Sequence, residues 1–176
     1  MNILIISGTP RKKGRTRKVA YTLSSRLPAE VIDLSDLTLP LFNGEGEQDR
    51  VSEVQWLREL SNEADAFIWL SPEYHNGMSG ALKNALDFLN IDHFRHKPTL
   101  LMSVSGGGKG GINSINQMRL VGRGLHAMVV PDQLIFDPDS FKEDGAFTAD
   151  IESRVTQVLR EFTHYAGLLP TLGVRG

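Results

Sequence analysis

The sequence predicts one α/β domain spanning residues 1–176: a five-stranded parallel sheet between two layers of helices, with strand order 2-1-3-4-5. Three observations predict it. Short apolar, β-branched runs alternate with amphipathic stretches along the whole chain. Those runs are hydrophobic at consecutive rather than alternate positions, as in strands covered on both faces. No repeat, low-complexity segment or linker divides the chain, and its length suits a single core.

Each element has its own signal. Asn2–Ser7 reads as a buried strand ended by Gly8. Thr16–Leu27 reads as a helix with Val19, Ala20, Leu23 and Leu27 on one face, closed by Pro28. Ala29–Leu34 is the second strand, and Leu37–Asp49 is a long loop holding Pro40, Asn43, Gly44 and Gly46. Val51–Asn62 is the second helix, and Asp65–Leu70 the third strand, stopped by Pro72. Gly77–Leu89 is the third helix and Thr99–Val104 the fourth strand. Gly110–Leu125 is the fourth helix and His126–Val130 the fifth strand. Ile151–Ala166 is the last helix, with Ile151, Val155, Val158, Leu159 and Phe162 in register. Right-handed crossovers make the flavodoxin-like three-layer sandwich the expected arrangement. Ligands of that architecture bind outside the carboxyl ends of the strands, where the order reverses. The loops Gly8–Arg15, Ser71–Gly77 and Ser105–Gly111 should therefore meet.

Composition excludes several classes. With 40% hydrophobic and 23% charged residues, the chain is an ordinary globular one. No apolar stretch approaches the roughly 20 residues that span a bilayer, and Ile3–Ile6 is too short for a signal peptide. The absence of cysteine excludes disulfides, thiolate metal sites and a cysteine nucleophile. A cytoplasmic protein is expected, with no membrane partner. A net charge of −2 gives no general drive toward nucleic acid. Six cations nevertheless fall within Arg11–Lys18, namely Arg11, Lys12, Lys13, Arg15, Arg17 and Lys18.

The loop after the first strand resembles a triphosphate loop, Gly-x-x-x-x-Gly-Lys-Ser/Thr, but does not fit it. Five residues separate Gly8 from Gly14, and Arg15 stands where the lysine belongs. The third strand ends in Ser71-Pro72 rather than in an acidic magnesium ligand. Hydroxyls of Ser7, Thr9 and Thr16, the forks of Arg11 and Arg15, and a helix start suit one terminal phosphate without a metal. A solvated basic turn without a ligand is the competing reading, above all for Lys12, Lys13, Arg17 and Lys18.

In the loop after the third strand, Glu73, Tyr74, His75 and Asn76 could flank a planar heteroaromatic ring. His75 shows no partner that would orient it as a general base, so it reads as a residue of shape. Glu73 reads as holding the loop or receiving a backbone hydrogen bond. Met78 reads as a helix-cap or interface contact. The loop after the fourth strand contains Gly106-x-Gly108-x-x-Gly111, a dinucleotide fingerprint with Asp132 at about the right distance. That fingerprint belongs to a first βα turn, so the glycines read instead as a side-chain-free wall for a large ring. Lys109 reads as a solvated charge or an attractor for a second, phosphorylated ligand. Asp92, His93 and His96 fall short of a zinc ligand set and read as surface residues.

Together the three loops resemble the NADPH-dependent FMN reductase family, whose members include flavodoxin-like azoreductases and quinone reductases. The first motif, usually Gly-Ser-x-Arg-x-x-Ser, stands here as Gly8-Thr9-Pro10-Arg11 followed by Gly14-Arg15-Thr16. The second stands as Ser71-Pro72-Glu73-Tyr74-His75-Asn76-Gly77, continued by Leu82-Lys83-Asn84-Ala85-Leu86-Asp87. The third is Gly106-Gly107-Gly108. Within the family the sequence is most similar to bacterial azobenzene reductases. The resemblance implies that Thr9, Arg11, Arg15 and Thr16, beside Ser7, hold the FMN phosphate. It implies that Pro72, Glu73, Tyr74, His75 and Asn76 line the isoalloxazine ring, with Gly106 and Gly107 near its pyrimidine side. It implies ping-pong hydride transfer from NADPH, or NADH, to FMN, then two-electron reduction of an azo compound, quinone or free flavin, with no catalytic side chain and no metal. A homodimer or homotetramer is implied, with the third helix and the Leu37–Asp49 loop as contact surfaces. A flavin-binding electron carrier without NAD(P)H turnover is the alternative.

Overall fold

A computed structural model of the chain describes residues 1–107 and 110–168. The expected contributions of Gly108 and Lys109 lie outside the described residues. In chain order the elements are β1 (Ile3–Ser7), α1 (Arg15–Ser24), β2 (Ala29–Asp33), α2 (Ser52–Glu63), β3 (Ala66–Tyr74) and β4 (Gly77–Met78). They continue with α3 (Gly80–Asp87), α4 (Ile91–Phe94), β5 (Pro98–Val104), α5 (Ile112–Gly124), β6 (Met128–Phe136) and α6 (Ala149–Leu168). The sheet order is β2-β1-β3-β5-β6, parallel throughout, with β4 pairing antiparallel to β3. The predicted order of the five parallel strands is therefore present. The strand count is corrected to six, because Gly77 and Met78 form a strand rather than the start of a helix.

Strand side chains alternate between two cores. Ile3, Ile5, Ile68, Leu70, Leu100 and Met102 point to one face and meet Val19 and Leu23 of α1 and Val155 and Phe162 of α6. Leu4, Ile6, Phe67, Trp69 and Leu101 point to the other and meet Val54 and Leu57 of α2, Leu82 of α3, and Ile115 and Met118 of α5. Both faces are buried, which is why the strands read as unbroken apolar runs.

Two strands outrun their predicted limits, each past a proline. Pro72 pairs in register with Val104, and β3 continues to Tyr74. Leu70 O accepts from Gly8 N at 2.7 Å, so alternation turns Pro72 toward the β1 side. β1 has ended at Ser7, so no ladder partner on that side requires the missing N–H. β6 passes through Pro131 on a bulge, where pairing jumps from Thr99↔Val129 to Leu101↔Gln133. Arg119 braces the bulge by donating to Val130 O, Pro131 O and Gln133 Oε1.

His93 is not a surface residue: it is 6% exposed. Its Nδ1 lies 3.1 Å from Asn90 N, in a reciprocal cap that starts α4. Burial is the main cause holding its imidazole below the ordinary value, with Lys97 and Arg58 adding to it. Among the described residues no three acidic or histidine side chains cluster as a metal site.

Candidate functional site

The three predicted loops converge at the carboxyl edge, between β1, β3 and β5. Loop one is welded to its neighbours through Gly8. Its N–H donates to Leu70 O, and its carbonyl accepts from Ser79 Oγ. Within the loop, Arg11 N donates to Thr9 Oγ1 at 3.2 Å and Gly14 N to Arg11 O at 3.1 Å. α1 then starts on Gly14 with no side-chain cap and no acidic residue in its first turn. The opening N–H groups of such a helix have no intrahelical acceptor and carry the positive end of its dipole.

Thr9 and Thr16 are buried beneath this turn. Ser7 Oγ is buried with no hydrogen-bond partner among the described residues, at the end of β1. Opening N–H groups, a helix start without an acidic residue in its first turn, hydroxyls and cations fit a dianionic phosphate.

The cations of this segment divide by task. Arg17 Nε donates to Asp33 at 2.5 Å and its Nη2 to Asp36 at 2.8 Å, while Lys12 Nζ lies 3.0 Å from Asp36. Lys12, the largest cause, and Arg17 hold Asp36 below the usual carboxylate range. Arg15 Nη2 donates to Ser105 O at 3.2 Å, and its guanidinium sits 5.8 Å from the Phe141 ring centroid. Arg15 thus bridges the first and third loops. Arg11 is exposed and makes no ion pair among the described residues.

The second loop is a two-residue hairpin. Tyr74 pairs with Gly77, and His75 and Asn76 between them have φ of 49° and 62°. Positive φ at both central residues is the turn that matches strand twist. The hairpin rests on α5: Gln117 Oε1 accepts from Met78 N at 3.0 Å, and a Cβ at Gly77 would lie 2.8 Å from that oxygen. Met78 therefore pairs as a strand residue. The cap of α3 is Ser79, whose Oγ accepts from Leu82 N at 3.0 Å. Its N–H donates to Ser71 Oγ at 2.9 Å.

In the third loop Ser105 N donates to Phe136 O, and Ser105 Oγ donates to Gly107 O. Gly111 at φ 102° begins α5, where a Cβ would meet Ile135 at 2.5 Å. Between this loop and the hairpin lies a cleft of about 770 Å³, lined by Glu73, His75, Asn76, Ser105, Gly106, Gly107, Gly110 and Asn113.

Five of the predicted ring residues, Glu73, His75, Asn76, Gly106 and Gly107, are thus brought to one cleft. Pro72 is buried below it, and Tyr74 is half-buried and does not line it. Glu73 Oε2 accepts from Ser114 N at 2.9 Å, the backbone bond expected of it. No side chain among the described residues orients His75. Asp132 sits in the β6 bulge, below the glycine loop, so the fingerprint reading fails. Sequence reasoning missed Ser79, Ser105, Asn113 and Gln117. Only Ser79, a serine three residues before Leu82 at a helix start, carried a signal.

Comparison with known proteins follows the same line. A family model described as NADPH-dependent FMN reductase matches residues 1–140. An NADPH azoreductase of Bacillus sp. (strain OY1-2) is 42% identical over 165 residues, covering 94% of this chain and 92% of the relative. An FMN-dependent NADPH-azoreductase of Staphylococcus aureus is 33% identical over 161 residues, covering 84% of each. Among solved structures, the apo form of an NADH:FMN oxidoreductase (EMOB) matches with a TM-score of 0.74 at 21% identity, over 94% of this chain and 88% of that one. The flavoenzyme FerB of Paracoccus denitrificans matches at 0.70 and 22% identity, over 97% of each. At those identities the structural matches speak for the fold.

Proposed function

The chain belongs to the NADPH-dependent FMN reductase family, an oxidoreductase with FMN as cofactor and NADPH as reductant, and on that premise we propose that it reduces azo compounds, quinones or free flavin in a ping-pong cycle. The observation that carries the reading is the meeting of an uncapped, cation-rich helix start with a glycine-walled cleft at the switch between β1 and β3.

Bound there, FMN would supply the two-electron chemistry that links nicotinamide and acceptor. The protein's task is to bind and orient. Thr9, Thr16, Ser7, Arg11 and the opening amides of α1 hold the phosphate, and Arg15 closes the site from the Ser105 side. Glu73, His75 and Asn76 would shape one wall for the ring, with Pro72 and Tyr74 supporting it from behind, and Gly106 and Gly107 the other. A single cleft serves both reductant and acceptor, so one must leave before the other enters. Among the described residues lining the cleft the one acidic side chain, Glu73, is engaged by Ser114 N, so the protons would come from water. The cytoplasm is the proposed compartment; no helix among the described residues is long and apolar enough to cross a membrane. Assembly as a homodimer or homotetramer is part of the reading, supported by Leu41, 84% exposed on a loop that Asn84 of α3 clamps through Pro40 O and Phe42 N.

Purified protein should show a flavin visible spectrum that NADPH bleaches without oxygen, and initial rates at several acceptor concentrations should give parallel double-reciprocal lines. Flavin that NADPH leaves oxidised would favour the electron-carrier reading. A colourless protein that takes up no added FMN would end both, and intersecting lines would end the ping-pong order.

A further inference from the structure

One side chain spans the two walls of the cleft. Glu73 stands on β3 opposite Met78 and reaches the start of α5, where its Oε2 accepts from Ser114 N at 2.9 Å. A Cβ on Gly110 would lie 3.2 Å from its Oε1, so the carboxylate packs directly on the glycine loop. α5 has no side-chain cap of its own. One of its opening amides, Ser114 N, and its positive dipole end are met by a carboxylate from β3. Ser114 is fixed in turn by its hydroxyl, to Gly111 O at 2.9 Å and Ser103 Oγ at 2.6 Å. Glu73 therefore ties the hairpin wall to the glycine wall, beside the exposed Asn113–Asn76 contact at 3.5 Å and the Gln117–Met78 bond. Among the described residues lining the cleft, it is also the one carboxylate.

We propose that Glu73 is a positioning residue for the flavin and the group that lowers its reduction potential. Reach sets the spacing of the walls. Charge opposes reduction, because a carboxylate beside a ring that gains negative charge raises the energy of the reduced form. The proposal rests on the flavin reading of the cleft.

Two variants separate reach from charge. Glu73→Gln keeps the length and the acceptor oxygen but removes the charge. Glu73→Asp keeps the charge but falls one methylene short of Ser114. In Glu73→Asp, and in Glu73→Ala if it folds, FMN should dissociate about tenfold more readily, which is 1.4 kcal/mol. The Ser114 amide of the flavin-free protein should exchange faster in both. In Glu73→Gln affinity should stay within about threefold, on the ground that the acceptor is kept. Its midpoint potential should rise above that of the parent, while Glu73→Asp keeps the parent's potential.

Glu73→Asp with parental FMN affinity and parental Ser114 exchange would overturn the positioning role. An unmoved potential in Glu73→Gln would overturn the electrostatic one. A parent protein that takes up no FMN would overturn the flavin reading itself, and that outcome is distinct from either.

Discussion

Gly8→Ala tests how tightly the phosphate loop is welded to the sheet. A Cβ at this position would lie 2.8 Å from Leu82 Cβ and 2.9 Å from Leu70 O. Carbon atoms rest about 3.5–4.0 Å apart, so the methyl must retreat by roughly 0.7–1.2 Å. Neither neighbour can yield, since Leu82 Cβ is fixed to α3 and Leu70 O belongs to the central strand. The loop must move instead, straining the Gly8 N–Leu70 O bond of 2.7 Å and the bond from Ser79 Oγ. Overpacking of this kind costs about 1–3 kcal/mol, and a weakened hydrogen bond about 1 more. Loss of glycine's unfolded-state freedom returns about 0.4–1. The net of about 1–3.5 kcal/mol corresponds to a melting temperature lower by about 2–14 °C in a domain of this size. Thermal unfolding of the flavin-free variant measures that term, and fluorescence quenching of added FMN measures the displaced loop. Gly80→Ala is the control: nothing lies within 4 Å of its Cβ, and alanine favours the helix by up to about 1 kcal/mol. A Gly8→Ala protein that melts within about 1 °C of the parent and binds FMN equally well would refute the reasoning.

Arg11 and Arg15 should separate when riboflavin is compared with FMN. Arg11→Ala should weaken FMN by about tenfold and leave riboflavin unchanged, since it removes a cation without an ion pair among the described residues, while Arg15→Ala should weaken both by loosening the Ser105 loop. The opposite pattern in paired titrations would reverse the two roles. His93 should make the protein less stable in mild acid. The unfolded chain takes up a proton near pH 6.5 and the folded chain only lower, so the stabilisation is complete above about 6.5 and is lost as pH falls through the folded value. Urea midpoints should drop between pH 7.5 and 5.5 in the parent and much less in His93→Gln; equal slopes in the two would exclude His93 as the source.

The parallel strands and their order were legible because burial on both faces leaves an unbroken apolar run, and short crossovers permit few topologies. The hairpin was not. A two-residue strand shows no period, and Pro72 suggested an end that β1's own termination made unnecessary. The sequence suggests a loop through His75 and Asn76 and a helix from Gly77, whereas both central residues adopt positive φ and Gly77 extends the strand pair. His93 went wrong for a related reason. A shortfall of zinc ligands suggests a surface residue, but the cap with Asn90 carries the ring inward. The bonds that lock the site join residues far apart in sequence, such as Glu73 with Ser114 and Gly8 with Ser79. Neither partner's type or spacing announces the other.

The run of cations shows most directly what structure adds to sequence. Six like charges near one helix start could all have served one anion. Asp33 and Asp36, at and just beyond the end of β2, engage Arg17 and Lys12 and turn them into a brace for the loop. Ser105 engages Arg15. Neither Arg11 nor Arg15 makes an ion pair among the described residues, and of the two side chains only that of Arg15 is engaged, by Ser105 O and the Phe141 ring. A phosphate held at the start of α1 would meet one guanidinium and a helix terminus rather than a cluster. Its affinity should therefore depend on salt only modestly, because most of its donors are fixed backbone N–H groups.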